Sequence, residues 1–167
     1  MKLAALAAAI LAVAAAGTAR GSITLPRCHT PGLQVSLVGG GAAAGTWQRD
    51  LRFRNASGHV CFVYGYPGLG LENAQHRVQP SNVTWGSTMA HRDPGRHRIV
   101  LQAGESAYAN MSGTDVPHGN GTCRTYAFLE VTPPGERTHR TLRFGTTACD
   151  RGRLTVTALG RTRTPAG

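Results

Sequence analysis

Lysine, acidic residues and long apolar runs are all scarce in this sequence. A single lysine, Lys2, stands against 17 arginines, and only eight residues are acidic. The acids are scattered: Asp50, Glu72, Asp93, Glu105, Asp115, Glu130, Glu136 and Asp150. A carboxylate pair for glycoside hydrolysis could form across strands, but nothing in their spacing proposes one. No G-x-S-x-G elbow is present; Gly104-Glu105-Ser106-Ala107 lacks the second glycine and reads as a turn into a strand. The four cysteines offer no C-x₂₋₄-C spacing, which argues against a cysteine-ligated zinc site. There is no HExxH, no Cys/His/Met grouping of the blue-copper kind, and no P-loop. Aromatic residues make up 6% of the chain. Tyr126 and Phe128 near Arg124 serve as well for a core as for stacking on bases, so no specific nucleic-acid binding is expected. The sequence thus offers no catalytic constellation and no cofactor motif, and the chain is read as a non-enzyme.

The one sizeable apolar run is at the N-terminus. Lys2 precedes an uninterrupted stretch from Leu3 to Ala16, followed by Gly17-Thr18-Ala19. A positive start, a short apolar middle and small residues at the end form a cleavable secretion signal, with cleavage expected after Ala19. The stretch falls short of the roughly 20 apolar residues a membrane span needs. No membrane span is expected once the leader is removed, and no cysteine directly follows the cleavage point, so no lipid anchor is expected.

Export gives the cysteines a purpose. An even number in a secreted chain implies disulfides. Cys28, Cys61, Cys123 and Cys149 allow three pairings. The sequential one, Cys28–Cys61 and Cys123–Cys149, is favoured because it closes two separate loops of moderate length. Each bridge is then worth about 3.5–4 kcal/mol in the chain-entropy view.

What is abundant is glycine, 22 residues, together with period-two alternation. Trp47, Leu51 and Phe53 share one face of a segment whose other face carries Arg52 and Arg54. Cys61–Tyr64, Ile99 with Leu101, Ala107/Ala109/Met111, Leu142 with Phe144, and Leu154/Val156/Ala158 repeat the pattern. Cys123–Thr132 is apolar on both faces and reads as a central strand. With 33–38 this makes about eight strands and no amphipathic helix. The expected fold is an all-β, immunoglobulin-like antiparallel sandwich. Glycine-rich 38–45 reads as a flexible loop, 20–27 as a short N-terminal segment, 28–160 as the domain and 161–167 as a flexible tail. Pro-Gly occurs at Pro31, Pro67, Pro94 and Pro134, each a type II turn signal. The segment Tyr66-Pro67-Gly68 is expected to reverse the chain with Gly68 at positive φ, so that valine there destabilises the fold.

Seven histidines invite a metal reading. His91 and His97 flank a Pro-Gly turn and are the first pair to consider; otherwise the histidines read as solvated loop residues. Four Asn-x-Ser/Thr triplets begin at Asn55, Asn82, Asn110 and Asn120 and read as turn or strand-end residues. Without the leader, the arginines outnumber the acids by 17 − 8 = 9 charges. That excess favours anionic partners such as wall polymers, although dispersed arginines also make an ordinary solvated surface.

Several segments together resemble one family. "LRFRN" ends at Asn55, "VCFVYGYPGLGL" runs from Val60 to Leu71, and "VLQAGESAYANM" runs from Val100 to Met111. Cys123 precedes a strand and Cys149 precedes "LTV". In this order they resemble the secreted actinobacterial family of domain of unknown function 4232, over about Cys28 to Leu159. The resemblance implies an exported β-sandwich with two disulfides, and implies no activity or catalytic residues. The function expected from residues and resemblance together is an extracellular or cell-wall-associated binding module. It would be a monomer, with an anionic wall polymer or an extracellular protein as partner. Two alternatives stand beside it. One is a secreted protease inhibitor presenting 61–70 or 115–123; the other is a metal-binding secreted protein using loop histidines.

Overall fold

The computed structural model describes residues 24–163. The leader, its cleavage after Ala19 and residues 164–167 lie outside them. Eleven strands build an all-β fold: β1 (Leu33–Ala43), β2 (Thr46–Asn55), β3 (Cys61–Tyr64), β4 (Gly68–Glu72), β5 (Val78–Gln79), β6 (Asn82–Trp85), β7 (Arg98–Leu101), β8 (Ser106–Thr114), β9 (Cys123–Thr132), β10 (Arg140–Cys149) and β11 (Arg153–Val156). A five-stranded sheet has the order β1-β2-β8-β11-β6, and a four-stranded sheet the order β10-β9-β4-β5. β3 and β7 pair separately. Pairing is antiparallel except between β11 and β6. The strands beyond the eight expected are β4, β5 and β6. Each is short, and β5 and β6 are mostly solvent-facing, so neither shows an apolar period.

The core lies between the sheets. The five-stranded sheet contributes Leu33, Trp47, Leu51, Phe53, Ala107, Ala109, Met111, Leu154 and Val156. The four-stranded sheet answers with Leu71, Tyr126, Leu129 and Val131, and Val63, Ile99 and Leu101 come from β3 and β7. The alternation read along β2, β8 and β11 therefore matches the faces that are buried. Both disulfides form, Cys28–Cys61 and Cys123–Cys149. The second joins directly opposed residues of β9 and β10.

Three local expectations change. Residues 38–43 are strand, not loop: β1 continues to Ala43, pairing Gly39–Ala43 with β2 after a bulge between Leu37 and Gly39. Backbone hydrogen bonds need no side chains, so glycine there does not break the ladder. The actual turn is Ala44-Gly45, with φ of 50° and 78°, the two-residue hairpin whose twist suits antiparallel strands. Next, Gly68 is not at positive φ. It opens β4, while the left-handed residue of this segment is Gly65, with φ of 97°. A valine at Gly68 would instead press a Cβ to 3.2 Å from the Thr132 Cβ. Finally, the chain is held as far as Arg163: Arg161 bonds the Val100 carbonyl and Arg163 pairs with Asp50. Pro134-Gly135 does make the expected turn, with Gly135 at 76° and a Glu136 N–H to Pro133 carbonyl bond of 3.0 Å.

Candidate functional site

Two surface features stand out, one cationic and aromatic, the other built of carboxylates and histidines.

The first lies on the outer face of β3–β7. Directly opposed residues of a sheet share a face. The register Phe62↔Val100 and Tyr64↔Arg98 therefore sets Phe62, Tyr64, Arg98 and Val100 together, opposite the buried Val63, Ile99 and Leu101. Arg27 joins them because the segment before Cys28 runs alongside β3, with Cys28 N–H to the Phe62 carbonyl and Phe62 N–H to the Pro26 carbonyl, both at 2.9 Å. The Cys28–Cys61 disulfide ties that segment down. Phe62 is only 9% exposed, yet it belongs to no part of the core cluster. Two guanidiniums cover it, Arg98 at 4.1 Å from the ring centre and Arg27 at 5.4 Å. Each such contact is worth about 0.5–1 kcal/mol at an exposed site.

The same arrangement recurs next to it. Tyr66 and Trp85 stack with centres 5.1 Å apart, and Arg96 lies over both, at 5.6 and 5.3 Å. Trp85 is 53% exposed. The Tyr66 hydroxyl donates a short hydrogen bond to Asp93, whose other oxygen accepts the Ala158 N–H at 2.8 Å. The hydrogen bond to Asp93, then burial and the Asp93 charge, push the Tyr66 hydroxyl above its ordinary range. The tyrosine is held in place by this bond, and the stacked pair is ordered as a platform.

These arginines are free of carboxylates. Among the described residues the one arginine–carboxylate ion pair is Arg163–Asp50. The other ion pairs use histidine: His29–Glu136, His76–Glu72, His118–Asp150 and His139–Glu130. Four of the eight acids are thus matched to histidines, and the guanidiniums of Arg27, Arg96 and Arg98 lie over aromatic rings.

The second feature sits on the outer face of β4–β9. Gly70 opposes Glu130 and Glu72 opposes Phe128, so the two glutamates are diagonal neighbours on one face. Glu72 is only 4% exposed although it points away from the core. His76 covers it from the β4–β5 turn, where it holds φ of 55°, stacks on Phe128 with centres 3.9 Å apart and places Nδ1 2.8 Å from Glu72 Oε2. His139, just before β10, brings Nε2 to 3.4 Å from Glu130 Oε1. Burial, then the hydrogen bond with Glu72, push the Glu130 carboxyl above the usual range, against the opposing pull of His139. The cross-strand carboxylate pair that the spacing did not propose is therefore present.

The two histidines first considered for a metal, His91 and His97, each bond a main-chain carbonyl. His91 Nε2 is bonded to the Arg163 carbonyl at 2.7 Å, and His97 Nδ1 to the Gly95 carbonyl at 3.0 Å. The histidine brought beside two carboxylates is His139, a loop residue just before β10. The segment 61–70 is mostly strand, with Cys61, Phe62 and Val63 buried. Asn55 and Asn110, which start two of the Asn-x-Ser triplets, are buried and hydrogen-bonded within the fold.

The fold and these surfaces define a disulfide-stapled all-β module whose distinctive chemistry is on its outer faces. Residues 28–160 match the family described as Domain of unknown function (DUF4232), and the chain belongs to that family. No curated protein and no solved structure matches it. No helix among the described residues is long and apolar enough to cross a membrane.

Proposed function

We propose that this protein is a non-enzymatic extracellular binding module that takes an anionic polymer of the cell surface on the outer face of β3–β7. The observation that carries the reading is the pair of arginine–aromatic arrangements, Arg27 and Arg98 on Phe62 and Arg96 on Tyr66 and Trp85, with no carboxylate pairing any of these arginines. A guanidinium stays charged at all relevant pH and presents a planar fork of donors to phosphate or carboxylate. Rings beneath the guanidiniums restrict them without neutralising them, so less freedom is lost on binding. The two disulfides support placement in an oxidising, extracellular setting.

The test is retention of the protein on purified anionic cell-wall polymer across a salt series. Retention is expected at low salt and should fade as the screening length shrinks below about 10 Å near 0.1 M. Arg98→Ala with Arg27→Ala should weaken it, while Arg143→Ala on β10 should not. Absence of retention at low salt, or equal retention by the folded double variant, overturns the reading.

A further inference from the structure

The carboxylate–histidine cluster on β4–β9 has a chemistry of its own, apart from the arginine face. One ligand atom from each of Glu72, Glu130 and His139 lies within 4.8 Å of the others. In a tetrahedral zinc site, bonds of about 2.0–2.2 Å put neighbouring ligand atoms about 3.3–3.6 Å apart. Glu130 and His139 are already at 3.4 Å. Closing the remaining gap needs only a side-chain adjustment at His139, which is the exposed member, and at Glu130, which is partly exposed. Glu72 needs no search: it is buried, on a strand, and aimed by His76 at 2.8 Å. A second group that orients a ligating side chain is a regular part of metal centres.

We propose that Glu72, Glu130 and His139 form a binding site for one divalent first-row transition ion of the zinc type, with His76 as a positioning residue that orients Glu72. Two carboxylates brought this close on one face need a cation or a proton between them, and an imidazole completes the set. Two oxygens and one nitrogen suit zinc and its neighbours, whereas calcium and magnesium prefer six or more oxygens. The three protein ligands leave a further position for water or for an anionic group of a partner. The alternation of β4 and β9 puts both glutamates outward, and the β4–β5 turn and the β9–β10 connection supply the histidines.

Zinc chloride titrated calorimetrically into the full chain, produced without a histidine tag and stripped with chelator, tests this. One equivalent should saturate the protein and raise its melting temperature, and cobalt should give the absorption of a tetrahedral ion. His139→Ala and Glu130→Gln should each weaken binding by about tenfold or more. Both change residues with solvent exposure, so folding should be retained, as circular dichroism can verify. His91→Ala and His97→Ala should bind zinc as the parent does. The proposal is overturned by absence of saturable binding, by unchanged affinity in folded His139→Ala and Glu130→Gln, or by loss of binding in the His91 or His97 variant. Polymer retention by His139→Ala is expected to be unchanged, so the outcomes for the two surfaces are separable.

Discussion

The Trp47 indole N–H donates to the Thr147 carbonyl at 2.7 Å, across the interior from β2 to β10. Trp47 is buried, and the Phe144 ring meets it edge-on with centres 5.4 Å apart. One side chain thereby fills the space between the two large sheets and satisfies a main-chain acceptor of the opposite one. Trp47→Phe keeps most of the apolar contact and removes the donor. It should lower stability by about 1–3 kcal/mol, read as a lower urea midpoint with unchanged slope. An unaltered midpoint would show that water replaces the indole.

Gly113 faces the same ring. A Cβ built there falls 2.3 Å from the Trp47 ring, well inside contact. Gly113→Ala should therefore displace the indole and destabilise the protein by about 1–3 kcal/mol, as overpacking does. The fluorescence of Trp47 should shift with it. A variant as stable as the parent would mean that the sheets can part at this point.

Ala44 occupies a left-handed position in the β1–β2 turn, with φ of 50°. Asparagine tolerates that region better than alanine, and Asn-Gly is the preferred pair for this hairpin. Ala44→Asn should raise the melting temperature by about 2–4 °C, the shift that follows from about 1 kcal/mol in a domain of this size. Gly45→Ala should act the other way, because its Cβ would meet Val116 at 2.4 Å and its φ is 78°. If both changes lower the melting temperature equally, the turn geometry is not what limits the hairpin.

Glu136 links the β9–β10 turn to the N-terminal segment. Burial alone would raise its carboxyl, but the Thr30 amide at 3.0 Å, His29 Nδ1 at 3.1 Å and the Thr30 hydroxyl at 3.2 Å outweigh burial and hold it below the ordinary range. An unfolded glutamate titrates near about 4.3. Between the folded value and that figure the unfolded chain binds more protons, so stability rises with pH. The contribution is complete above the unfolded value and is lost as pH falls through the folded one. Lowering pH from about 5 to about 3 should reduce the urea midpoint. Glu136→Gln should reduce the midpoint at pH 7 and flatten its decline in acid. A variant that follows the parent's curve in parallel would remove Glu136 from the account.

Much of the architecture was legible because its signals are local. Alternation at Trp47, Leu51 and Phe53 marks a face whether or not the partner strand is known, and Pro134-Gly135 carries its turn in two residues. Gly68 is not legible in the sequence because a Pro-Gly pair fits either a turn or a strand entry, and the neighbour that decides, Thr132, is 64 positions away. The β1 extension through Gly39–Gly41 is hidden for a related reason: a ladder is made by the partner strand's backbone, which composition does not report.

The amino-acid order alone determined the all-β class, most strands and the excess of arginine over acid. These follow from near neighbours and from composition. The tertiary structure alone decided which charges meet. Arg98 reaches Phe62 and Glu72 reaches Glu130 only because strands distant in sequence are set side by side in one register. His139 rather than His91 stands beside carboxylates because β9–β10 brings it there. Charge and ring contacts depend on separations of a few ångströms, and those separations are made by pairing between strands, not by spacing along the chain.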